Sequence, residues 1–199
     1  IYSEGGSTSA INNSTIKVGS SNVSTSEYSI GMAASSGSSI NNIGDIYVTG
    51  SNSIGMYGDG IGSSVYNNGN IYLDATGATS LNLKNQMIGI YLDNGAHGEN
   101  WGDVKTLSNY AGNTNVNTLV GISVQRGSTF ENHGNIEINS DNGVGVYVNN
   151  GIIKNYGTIT VIGDESTGVK YKHGEVAPGV PLTPSNVGGT VTSVGGNSF

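Results

Sequence analysis

Two aspartates give this chain its best claim to catalytic chemistry. Asp45 and Asp103 hold the same place in two copies of a recurring seven-residue phrase, with Asn70 at that place in the copy between. On stacked strands the two carboxylates would lie two rungs apart, roughly 9–10 Å. That is near the wide end of the spacing at which inverting glycosidases hold an acid and a base around a water. No third acid and no nearby Arg or Lys completes such a site, and an Asp at a regular strand surface is normally just solvated. Catalysis is therefore not the expected function, and no catalytic residue is assigned. His97, His133 and His173 fall in unrelated parts of the repeat, without metal-ligand spacing. No calcium loop, phosphate loop or nucleophile elbow is present. Neither metal nor cofactor is expected.

Ring side chains offer binding chemistry instead. Trp101, the single tryptophan, shares its place in the phrase with His133 and Tyr156. Tyr47 matches Tyr72, and Tyr57 matches Tyr91, with Tyr147 two copies further along. Such rows can stack on sugar rings or fill a protein interface. They can equally stabilise adjacent strands by like-on-like contact, which is the expected role for all but Trp101.

The elements that position these residues are short and repeated. The phrase is Asn-x-Gly-x-Ile-x-Val, beginning at Asn12, Asn42, Asn67, Asn100, Asn132 and Asn155. A second piece follows, Gly plus an apolar residue, at Gly31, Gly55, Gly89, Gly121, Gly145 and Gly168. A third, shorter piece is anchored by Ile40, Val65, Phe130 and Ile153, with Gly98 standing in for an anchor. Alternation within each piece is the period of a strand, and no helical stripe is sustained. Self-similarity at roughly 23 to 33 residues marks a solenoid. The expected fold is all-β: a right-handed parallel β-helix of about six three-stranded coils.

Strand parity then assigns faces. Ile46, Val48, Ile71, Leu73, Ile136, Ile138, Ile159 and Val161 should point inward from the first strands. Met56, Ile88, Ile90, Leu92, Ile122, Val124, Val144, Val146 and Val148 should do so from the second. The column of Asn residues should sit at a corner and bond up and down the stack. The Gly two residues later should permit a bend or a positive φ.

Length variation is confined to one corner. From second-strand Gly to the next Asn the spacing stays between 10 and 12 residues. From Asn to the following Gly it is 13 in three coils but 19, 22 and 21 after Asn12, Asn67 and Asn100. The two longest insertions, residues 74–86 and 107–118, belong to adjacent coils and must touch. Binding residues concentrate on loops held by a rigid scaffold. Asp74, Lys84, Asn85, Trp101, Tyr110, Asn113 and Asn115 are the candidate binding residues.

Composition bounds the partners. Gly is 33 of 199 residues, Pro 3 and Cys 0, with a net charge of −7. The acidic balance excludes nucleic acid, and no apolar run spans a bilayer. Freedom from cysteine suits export through a periplasm. Residues 1–175 read as the β-helix and 176–199, with Pro178, Pro181 and Pro184, as an irregular coil or linker. The start at Ile1 and the uncapped sheet ends read as a segment of a longer, processed protein.

Iterated Asn-x-Gly-x-Ile-x-Val with Gly-Met-Tyr or Gly-Ile-Tyr, as in residues 42–57 and 67–91, resembles the passenger region of type V secretion autotransporters. The Ile/Asn/Lys flavour is similar to the fusobacterial outer-membrane adhesins of the RadD type. The resemblance implies display on a Gram-negative cell surface and a membrane barrel elsewhere in the full chain. It also implies attachment to a host-cell or bacterial surface protein or glycan, without membrane insertion by this segment. A vacuolating-toxin-like passenger, a plain stalk and a polysaccharide-degrading β-helix enzyme are the alternatives.

Overall fold

The computed structural model describes residues 1–19, 29–79, 84–172, 185–186 and 190–194. Three parallel seven-stranded sheets dominate, joined by one two-stranded ladder. The first sheet stacks Thr15–Val18, Asp45–Val48, Asn70–Leu73, Asp103–Thr106, Asn135–Asn139, Thr158–Ile162 and Thr190–Val194. The second runs from Tyr2–Glu4 through Ile30–Ser35, Ile54–Asp59, Ile88–Asp93, Val120–Gln125 and Val144–Asn149 to Thr167–Lys172. The third runs from Ser9–Asn12 to Ser185–Asn186. Each strand in these sheets pairs with its counterpart one coil away, and the described residues contain no helix. The chain is a right-handed parallel β-helix, the winding sense that crossovers between parallel strands adopt.

Seven rungs replace the six copies of the phrase. Tyr2–Glu4 pairs with Ile30–Ser35 although it lacks the Gly-apolar signature. At the other end Thr190–Val194 continues the first sheet by pairing with Thr158–Ile162. Pairing by backbone alone lets such poorly matched segments join a sheet edge that is already formed. The three prolines between these ends lie outside the described residues.

The interior is a column of aliphatic side chains. Ile46, Val48, Ile71, Leu73, Ile136, Ile138, Ile159 and Val161 are all fully buried, as parity requires. The second sheet departs from parity at one point. Ile88 is half-exposed and pairs in register with Ile54 and Val120, which are half-exposed too; Val144 belongs to the same column. The cause is Gly89, which faces the interior together with Ile90. A Cβ on Gly89 would meet Val104 Cγ1 at 2.5 Å and the Gly121 carbonyl oxygen at 2.6 Å. Two consecutive inward residues interrupt the alternation, so the residue before the glycine turns outward. Ile88 is thus an outer-face residue, not a core one.

The Asn corner forms as its spacing requires. Nδ2 of Asn12, Asn42, Asn67, Asn100 and Asn132 each donates to Oδ1 of the next Asn up the stack, at 2.8 to 2.9 Å. Each of these Nδ2 groups also donates to the carbonyl two residues on, at 2.9 to 3.2 Å. The ladder therefore gives each corner carbonyl a second donor beside the amide of the next coil, and pairs the buried Asn side chains with one another. The glycines two residues later lie at the expected bend and answer a steric need as well. None of Gly44, Gly69, Gly102, Gly134 and Gly157 has a positive φ. A Cβ on any of them would overlap the carbonyl oxygen of the residue stacked below. Close approach of coil to coil is what demands glycine there.

Candidate binding surface at the inserted loops

The two long insertions meet. Lys84–Asn85 pairs in parallel with Val116–Asn117, extending the stack sideways as a separate ladder. Tyr110 locks the pair from below: its hydroxyl accepts from the Ala75 amide at 3.1 Å and lies 3.2 Å from Thr76 Oγ1. Its own amide donates to the Asn139 carbonyl at 2.8 Å, tying the upper loop to the next coil. Ala75, Met87, Val116 and Leu119 are buried with it. The described residues of the loops are thus packed parts of the rod with their own extension of the core.

The candidate residues divide accordingly. Asp74 and Asn113 each close a local turn, their Oδ1 atoms accepting from the Thr76 and Asn115 amides at 3.0 and 3.1 Å. Such side-chain-to-backbone bonds fix loop shape. Tyr110 is only 6% exposed, so it anchors the loops from inside. Lys84 and Asn85 supply the ladder strand. Asn115 is half-exposed beside it. Other described loop residues are exposed, among them Thr76, Gly77, Ser108, Asn109 and Thr114. Sequence reasoning passed over them because small polar residues in a turn carry no chemical signal of their own.

Trp101 does not join this group. It is 55% exposed, but it follows Asn100 at the corner between the third and first sheets, while the insertions occupy the corner between first and second. Nearness in sequence to both loops does not bring it to their side of the rod. Its ring stacks on His133 at 3.9 Å and 6°, and His133 stacks on Tyr156 at 4.8 Å and 7°. Trp101 Nε1 donates to Glu99 Oε2 at 2.8 Å. Burial pushes the Glu99 carboxyl up, but this bond and that from His97 outweigh it and hold the group below its usual range.

The spaced aspartates are tied up as surface pairs. Asp45 Oδ1 accepts from Asn70 Nδ2 at 2.8 Å. Asp103 accepts from Lys105 Nζ at 2.7 Å and from Asn135 Nδ2 at 3.1 Å. A lysine absent from the sequence reading of this place is thus supplied by the same strand. The Lys105 ammonium, against a smaller opposing effect of burial, holds Asp103 below the usual carboxylate range. A general acid needs the opposite shift.

In the second sheet two tyrosines rise furthest: Tyr57 on the outer face, and Tyr171, which stands in register with buried Val148 and packs against the core. Burial, reinforced by Asp59 and Asp93, pushes Tyr57 up to about 12, and burial does the same to Tyr171. A raised folded value means the neutral ring contributes stability that is complete below pH 10 and is lost as pH climbs through 12. Tyrosinate absorbance should therefore show a late phase near pH 12 coincident with base unfolding. Tyr57→Phe should shrink that phase and move base unfolding to higher pH. A single phase near pH 10 in the folded chain would contradict this assignment.

A family model for the BigA third pectate lyase-like domain matches residues 1–102. No curated protein and no solved structure matches the chain. The match takes in the coils up to the corner of Trp101 and covers just over half of the chain, which therefore belongs to the family of the BigA third pectate lyase-like domain.

Proposed function

We propose that this chain is a passenger segment of a bacterial surface adhesin, a rigid rod that holds the paired loops 74–86 and 107–118 out for contact. The observation that carries this reading is the loop ladder itself. Two insertions at one corner pair with each other, and among their described residues Ala75, Tyr110 and Val116 are buried while mostly polar residues, with Leu107, stay exposed. Neutral insertions would have no need to be ordered in this way, because ordering a residue costs about 1–2 kcal/mol of backbone entropy. The family match supports a β-helical passenger carried by a surface protein. The repeat wording extends the proposal to outer-membrane autotransporters of the fusobacterial RadD type, with a surface protein or glycan on a host cell or another bacterium as receptor.

The role is non-enzymatic in this proposal. "Pectate lyase-like" describes the coil architecture, and fold does not carry activity. The ionised, lysine-paired Asp103 is unsuited to act as a general acid. Among the described residues no helix is long and apolar enough to cross a membrane, and no cluster of three metal-ligating side chains occurs.

The test is saturable binding. Fluorescently labelled chain should bind host epithelial cells or partner bacteria and be displaced by excess unlabelled chain. Absence of displaceable binding to every cell type tried would leave a spacer stalk as the function.

A further inference from the structure

The outward tyrosine column of the second sheet has one rung missing. In register it reads Ala33, Tyr57, Tyr91, Ser123, Tyr147, Lys170. Tyr57 and Tyr91 fill adjacent rungs with their rings 5.7 Å apart. Ser123 replaces a ring with a hydroxymethyl group, so Tyr91 and Tyr147 flank it two rungs apart, about 9.6 Å. A groove of about 300 Å³ opens there. One side is the apolar strip of Ile88, Val120 and Val144, turned outward by the neighbouring glycines. Gln86 and Thr118, the last residues before Met87 and Leu119, rim it from the inserted loops.

The floor is polar and ordered. Ser123 is 3% exposed, and its Oγ accepts from Gln125 Nε2 at 2.7 Å. Gln125 Oε1 in turn accepts from Asn149 Nδ2 at 2.9 Å. Lys170 lines the far end with no ion-pair partner among the described residues. A ring set midway would lie about 4.8 Å from each tyrosine, the distance at which Tyr47 and Tyr72 stack, so the slot takes one six-membered ring. A pyranose chair is such a ring, puckered and with C–H groups on both faces. It presents C–H groups to the rings above and below and hydroxyls at its edge.

We infer that the Ser123 gap is a sugar-binding slot, in which one pyranose unit of an oligosaccharide sits between Tyr91 and Tyr147. Its edge hydroxyls meet the Ser123–Gln125–Asn149 chain, and a neighbouring unit lies toward Lys170. The slot is independent of adhesion through the loop tips, and its test uses soluble saccharide alone.

Ser123→Tyr is the decisive variant, because it restores the residue found at three other rungs and fills the slot. Calorimetric titration of the whole chain would use cellohexaose, chitohexaose and a hyaluronan hexasaccharide. At least one should bind the wild type, and Ser123→Tyr should weaken it by about tenfold or more. Tyr91→Leu, which keeps an apolar side chain on the strand, should weaken it similarly with an unchanged circular dichroism spectrum. Failure of all three saccharides to bind, or equal binding by Ser123→Tyr, would overturn the proposal.

Discussion

Gly102→Ala is expected to abolish cooperative folding of the central coils. A Cβ at this position overlaps the Gly69 carbonyl oxygen in the coil below. Neither atom can move alone. The Asp103 amide donates to that same Gly69 oxygen at 3.1 Å, and the Asn135 amide donates to the Gly102 oxygen at 3.0 Å. Relieving the overlap means opening the stack where three sheets hold it to strand spacing. A cost above about 4 kcal/mol follows, the range reserved for a named steric or burial failure. Gly6→Ala is the matched control. Gly6 has ordinary φ and no neighbour within 4 Å of an added Cβ, so its substitution should stay within about 0.5 kcal/mol. Denaturation midpoints of the two variants check this. A Gly102→Ala midpoint equal to that of wild type would mean the coils are not in such close contact.

Asn100→Ala should produce the next largest loss. Asn100 is fully buried in the middle of the ladder. Its Nδ2 donates to Asn132 Oδ1 at 2.9 Å and to the Gly102 carbonyl at 3.1 Å, while its Oδ1 accepts from Asn67 Nδ2 at 2.8 Å. Alanine orphans the Asn132 acceptor and weakens the rest. Asn67 keeps other partners, the Gly69 and Asp103 carbonyls at 3.2 and 3.3 Å, which limits the damage on that side. Each unmet buried group costs about 1–3 kcal/mol, so a total of about 2–4 kcal/mol is expected. Asn100→Asp should be worse, because it keeps the acceptor, removes the donor and buries a charge. An Asp variant as stable as wild type would contradict the ladder.

Much of the architecture was legible because a solenoid repeats its physics in its sequence. Six Asn residues at equivalent places announce a corner ladder, and Ile at alternate positions announces the core. The touching of the loops followed from coil spacing alone. Other features were hidden for identifiable reasons. Ile88 obeys parity in sequence, but the inward turn of Gly89 reverses it. Tyr110 reads as an exposed loop aromatic, yet the loop closes over it to bury its ring and satisfy its hydroxyl. Trp101 seems flanked by the insertions only because a coil carries successive residues around to different corners. The first and last rungs lack the phrase and join by backbone bonds, which composition does not reveal. The missing ring at Ser123 is written in the register of the tyrosines, but its width and polar floor needed the structure.

The most direct measurement of the adhesive role is cell binding by a rod with trimmed loops. Residues within 74–86 and 107–118 would be removed until both Asn-to-Gly spacings equal 13, a spacing three coils of this chain already use. The trimmed rod should keep its β spectrum, because the three main sheets do not depend on the side ladder. Displaceable binding to host or bacterial cells should fall by about tenfold or more, equivalent to about 1.4 kcal/mol or more of lost contact. A folded, trimmed rod that binds cells as well as the wild type would contradict the central claim.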